Sequence, residues 1–181
     1  MKKLSIIATC MALALSFAFA GCSSTETTAS QSDSTQASTA ASGAGADSQD
    51  ASANWYFDLD GVKIFMNAPA APVLSALGEA KSSYEAPSCA FDGMDVVYSY
   101  PGFDLLTFSN GGDAIVSGVV LRDDTVTTVE GLFIGSDTAA VENTYGKVED
   151  GANNIRVQKG NCELLVILTD GYVSSIQYIA K

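Results

Sequence analysis

The sequence predicts an α+β domain built from two tandem units, each a short helix followed by an antiparallel meander, with the helices packed on one face of the sheet. Three observations lead there. First, "GVKIFMNAPAAPVLSALGE" (61–79) aligns without gaps on "VEGLFIGSDTAAVENTYGK" (129–147), pairing Phe65 with Phe133, Ala71 with Ala139, Val73 with Val141 and Gly78 with Gly146. Second, Val73 with Leu77 and Val141 with Tyr145 lie one helical turn apart, so each candidate helix carries one apolar stripe. Third, strand-like runs follow each helix and are joined by hairpin residues.

The elements preceding the folded part come first in the chain. Lys2 and Lys3, the apolar run Leu4 to Ala20 and the small residues after it form an export signal, too weakly apolar and too closely followed by a processing site for a permanent span. Two cleavages compete. Ala18-Phe19-Ala20 fits the general signal peptidase and would release a chain starting at Gly21. Phe19-Ala20-Gly21-Cys22 resembles the bacterial lipobox, with Phe19 where Leu is usual; it implies that Cys22 is acylated and becomes the first residue. The next stretch favours the lipid. Residues 23–53 are almost wholly Ser, Thr, Ala, Gln, Gly and Asp, with nothing to bury against chain entropy. A flexible chain of that length reaches roughly 30 Å, which suits a tether holding a domain clear of a membrane. The expected organisation is therefore a lipoprotein-type signal over 1–21, a lipid-anchored disordered linker over 22–53, a first α+β repeat over 54–128 and a second over 129–181.

Within the domain, Asp60-Gly61 marks an opening hairpin. The two β-like segments of the repeat are Val62 to Met66 and Gly131 to Ile134. One helix is started by Pro72 and the other by Ser136 or Asp137 as N-cap; Gly78 and Gly146 supply the C-terminal stops. The strands expected after them are 96–100, 103–109 and 115–121 in one half, and 155–158, 162–169 and 173–179 in the other. Asn110-Gly111-Gly112 and Asp170-Gly171 are hairpin turns, which makes these neighbours antiparallel.

Charge and composition exclude several functions. The chain has a net charge of −12 and no histidine; loss of the signal removes Lys2 and Lys3 and leaves seven basic against twenty-one acidic residues. Nucleic-acid binding by phosphate neutralisation is excluded on this balance, and there is no basic patch for anionic lipid. Without histidine there is no Ser-His or Cys-His pair and no common zinc set, and no phosphate-binding or dinucleotide loop occurs. Asp92 with Asp95 and Asp123 with Asp124 are the carboxylate pairs a glycosidase would need, but on turns of an acidic protein they read as solvated. "DLDG" (58–61) has the opening of a calcium loop without its later ligands, so a hairpin turn accounts for it better. The expectation is no catalytic residue, no metal and no cofactor. Cys89 and Cys162 either bridge the two halves or remain two separate thiols.

A short helix ending in Leu-Gly or Tyr-Gly, then a meander closing on Val173, Ile176 and Tyr178, given twice, resembles the β-lactamase-inhibitor-protein-like domains and the small outer-membrane-assembly lipoproteins related to them. "SCAFDGMDVVYSY" and "DDTVTTVEGLFIGS" look like segments of lipoproteins from Gram-positive gut bacteria. The resemblance implies a non-enzymatic module, anchored to the membrane through its N-terminal lipid, that recognises a protein or cell-wall partner. The alternative is a structural or assembly lipoprotein of the envelope. Leu105, Leu106, Phe108 and the run Leu164 to Leu168 are apolar on both strand faces, whereas one helix per unit covers only one. Either the long 80–95 segment folds over the other face or a partner does; Tyr98 and Tyr100 share a face by period two, and either both rings finish the core or the helix-free face near them is the docking site.

Overall fold

The structure, a computed structural model, describes residues 49–181. Cys22, the signal segment and the linker before Gln49 lie outside the described residues. The chain enters through local polar contacts: the Gln49 amide donates to Met66 O at 3.1 Å, and Asp50 accepts from the N–H of Ser52 at 2.8 Å.

Asp60 and Gly61 adopt φ of 51° and 89°, the left-handed pair that a two-residue hairpin turn needs, and join β1 (Tyr56–Leu59) to β2 (Val62–Phe65). The Asp58 carboxylate accepts the Gly61 N–H at 2.9 Å, so "DLDG" is spent on the turn. α1 (Ala70–Leu77) follows Pro69, has no side-chain cap, and is held by burying Ala70 and Val73. α2 (Thr138–Tyr145) is capped by Asp137, whose side chain accepts from the Ala140 N–H at 2.8 Å. Both helices stop at glycines with positive φ, 75° at Gly78 and 102° at Gly146.

The remaining strands are β3 (Ser82–Pro87), β4 (Met94–Tyr100), β5 (Phe103–Ser109) and β6 (Ile115–Leu121) before α2, then β7 (Asn154–Lys159), β8 (Cys162–Thr169) and β9 (Tyr172–Ala180). They form one antiparallel sheet in the order β3-β4-β5-β6-β9-β8-β7. Bulges lie between Leu106 and Thr107 and between Ile167 and Leu168.

This architecture corrects the expected fold class. The described residues are mostly β, a seven-stranded sheet plus a two-stranded hairpin, and the two helices among them have eight residues each. It is not a tandem array of helix-plus-meander α+β repeats. Two-turn helices have little stability of their own and survive only by packing. The meanders do not form separate sheets, because β6 pairs with β9 from Gly118↔Ile179 to Leu121↔Ile176 and carries the ladder across the midpoint of the domain. A single core follows, in which Phe57, Val73, Val119, Val141, Leu164 and Tyr178 belong to one cluster.

The repeat also fails locally. Gly131 to Ile134 is not a strand: Gly131 (φ 88°) and Gly135 (φ 102°) turn the chain, and Phe133 is exposed where its aligned mate Phe65 is buried. β3 has no counterpart in the second half and was not expected, since five of its six residues are exposed and their polarity does not alternate. By contrast, β5, β6 and β8 have the bounds read from strand periodicity and turn chemistry.

Candidate binding face

Strand register divides the large sheet into two unlike faces. Phe103, Leu105 and Thr107 of β5 stand beside Leu121, Val119 and Val116 of β6, and these continue through Ile176 and Tyr178 of β9 to Val166 and Leu164 of β8. All of these side chains are buried, and all but Thr107 join the cluster that includes α1, α2 and the β1–β2 hairpin.

The alternate positions face the other way. Val97, Leu106 and Ile179 lie in one row with Gly118 between the last two, and Val120 and Leu165 lie in the next. Phe108 and Ile115 sit beside each other on the other flank of that row. None of these residues belongs to the core cluster, although Leu165 is only 6% exposed. Most are half-buried. At the β3 side, Tyr84 is 70% and Phe91 71% exposed; the Phe91 ring meets Phe108 edge-on at 5.7 Å. Phe91, Asp95, Phe108, Ile115, Ser117 and Lys181 line a groove of about 370 Å³.

Five charged groups here pair with one another within the face. The Arg122 Nε donates to Asp104 at 2.7 Å, and Asp104 is only 7% exposed. Glu163 accepts from Lys181 Nζ at 3.0 Å and from Arg156; the Lys181 hydrogen bond, followed by that of Arg156, holds its carboxyl below the ordinary glutamate value. A larger cleft, about 550 Å³, lies between the segment after α2 and β7, but Lys147, Glu149, Asn154 and Arg156 give it a polar lining and its Lys147–Asp150 pair is solvent-exposed.

Tyr98 and Tyr100 are not on this face. Tyr98 pairs with Leu105 and Tyr100 with Phe103, so both rings point to the helix side. Tyr100 is 7% exposed, stacks on Phe103 at 5.2 Å and donates its hydroxyl to Gly78 O at 3.1 Å; burial raises its pKa. Tyr98 packs against the core. Their shared parity is legible in the sequence, and of the two readings it allows, core or docking face, the register gives the core one; parity alone cannot say which side the helices cover. The residues that do line the open face carried a signal, the apolar Leu106 and Phe108 in positions alternate to Leu105, without a way to rank the two sides.

Nor are Cys89 and Cys162 brought together: both are free thiols, Cys89 exposed in the segment after β3 and Cys162 buried in the core, where desolvation pushes its pKa up to about 12. Asp123 closes a local turn by accepting from the Thr125 N–H at 2.9 Å and from its hydroxyl, and these bonds lower its pKa. Asp95 lines the groove, and Asp92 stands in the exposed segment before β4. Among the described residues no group of three or more Cys, Asp or Glu is placed to hold a metal, and no helix is long and apolar enough to cross a membrane.

No family model matches the chain, and no curated protein matches it at a significant level. Among solved structures it is similar to an extracellular protein containing an SCP domain from Bacillus anthracis str. Ames, at 10% identity and a TM-score of 0.41. That match covers 68% of this chain and 48% of the other, so the chain spans about half the length of its structural neighbour.

Proposed function

We propose that the protein is a lipid-anchored, extracytoplasmic, non-enzymatic binding module that uses the helix-free face of its large sheet to hold a protein partner. The observation that carries this reading is the outward apolar row Val97, Leu106 and Ile179 with Phe108, Ile115 and Val120, none of which joins the core. Contiguous apolar surface of this kind on a folded domain marks an interaction site. The aliphatic centre offers few hydrogen-bonding groups to a sugar, which favours a protein over a wall glycan. The lipobox-like Phe19-Ala20-Gly21-Cys22 and the Ser/Thr/Ala stretch after it support a position on the outer side of a membrane, with reach to find a partner.

A photo-crosslinking residue at Val97, carried by the full chain in the native envelope, is expected to yield one dominant protein adduct. Leu106→Glu in the same chain is expected to abolish that adduct while leaving the thermal midpoint within about 2 °C of the parent, because a half-buried surface change alters stability little. Unchanged crosslinking in the Leu106→Glu variant, or adducts only from positions on the helix side, refutes the reading.

A further inference from the structure

The groove at one end of the open face has walls of unlike chemistry. One wall is the segment after β3, which turns back on itself: the Ser88 N–H donates to Gly93 O at 2.9 Å, and the Ala90 N–H donates to Ser88 Oγ at 3.4 Å. Gly93 lets that turn lie directly on β5. Its φ is 151°, and a Cβ there would come within 2.3 Å of Ser109 O and 2.8 Å of the Phe108 ring. The Phe91 ring, carried by the turn, thus meets Phe108, and Asp95 stands opposite Phe108 on the same side of the sheet. All three line the groove.

Charge in the groove is unbalanced. Lys181, the base among its described lining residues, is held by Glu163 at 3.0 Å, so the lining offers an anion no free base. Asp95, by contrast, accepts no hydrogen bond and meets no cation among the described residues, whereas Asp104 and Glu163 on this face are both paired. Asp92 in the turn and Asp113 just before β6 add acidic charge at the same end of a chain whose net charge is −12. One carboxylate is too few ligands for a metal ion. A carboxylate beside aromatic rings suits an organic cation, whose stem packs on the rings while its charge meets the carboxylate.

We infer that this groove takes a basic side chain, Lys or Arg, presented by the protein held on the open face, with the aliphatic stem along the Phe91 and Phe108 rings and the charge on Asp95. This rests on the reading that the open face is the binding surface. Val97 of its apolar row lies two residues from Asp95 on the same side of β4, so one partner reaches both. The acidic body also steers a basic partner towards it.

Amide NMR spectra of the full-length chain, titrated with N-acetyl-lysine methylamide and with its uncharged counterpart N-acetyl-norleucine methylamide, test the inference and report whether each variant stays folded. The lysine probe is expected to shift Phe91, Asp95 and Phe108 most and to bind at least about fivefold tighter than the norleucine probe. Asp95→Asn is expected to remove that preference, Phe91→Ala to weaken the lysine probe about threefold, and Asp124→Asn, outside the groove, to change neither. Equal affinity for the two probes, a preference that survives in Asp95→Asn, or shifts spread over the acidic surface with no maximum at the groove overturns the inference. In the native envelope, Asp95→Lys is expected to abolish the protein adduct formed from Val97. An undiminished adduct in that variant overturns the inference and leaves the open face as a binding surface. If the wild type gives no adduct, the binding reading fails and the protein source of the cation with it, while a lysine preference that depends on Asp95 still upholds the groove's choice of an organic cation.

Discussion

Cys162 illustrates how one side chain carries both chemistry and stability here. It is fully buried on the core face of β8, and desolvation, the largest effect, pushes its thiol pKa up to about 12 from an ordinary value of 9.0. The folded state therefore holds the thiol proton more tightly than the unfolded chain does. Its contribution is complete below about pH 9 and is lost as pH rises towards 12. The Tyr178 hydroxyl, buried without a partner among the described residues, and Tyr145 are raised by the same cause and act in the same direction at higher pH. Urea unfolding is expected to give constant stability from pH 7 to about 8.5 and a decline above it. Cys162→Ala should be less stable at pH 7 yet show a shallower alkaline decline; an unchanged slope would assign the decline to the tyrosines alone. The contrast between Cys162 and exposed Cys89 was not legible from spacing, because each thiol's state depends on what packs around it.

At the scale of the element, the two helices reach the same length by different means. α1 begins at Pro69 with no side-chain cap and buries Ala70 and Val73, whereas α2 buries only Val141 among its eight residues and relies on Asp137. Loss of that cap is expected to cost about 1 kcal/mol in Asp137→Ala and little in Asp137→Asn, since Asn also caps. Thermal or denaturant unfolding of the two variants measures the difference; equal losses in both would show that the Asp137 charge, rather than its capping oxygen, supports α2. The cap and both terminal glycines were legible in the sequence, because capping depends on residues adjacent in the chain. β3 was not: Ser82 to Pro87 has no strand pattern, and it is a strand because β4 offers it a free edge.

For the whole molecule, seven strands between Ser82 and Ala180 join into one layer, and the lipid anchor proposed at Cys22 has its own test. Mass spectrometry of the processed protein is expected to find a diacylglyceryl group on Cys22, and Cys22→Ala to move the protein from the membrane to the soluble fraction. A mature N-terminus at an unmodified Gly21 would instead make it a released protein.

The sequence by itself determined what depends on near neighbours in the chain: the strand spans of β5, β6 and β8, the Asp60-Gly61 turn, an N-cap at Ser136 or Asp137 and the glycine stops. It also showed that the meander strands are apolar on both sides, and hence that one side lacks a helical cover. Only the tertiary structure decided that the halves fuse through β6 and β9, since pairing between Val119 and Tyr178 is set by packing across 59 residues of chain and leaves no local trace. It alone decided which face is open. Alternation places Tyr98 with Tyr100 and Leu106 with Phe108 on opposite sides, but the choice of core side belongs to α1, α2 and the first hairpin, which fold over Leu105 and Phe103 and leave Leu106 to the solvent.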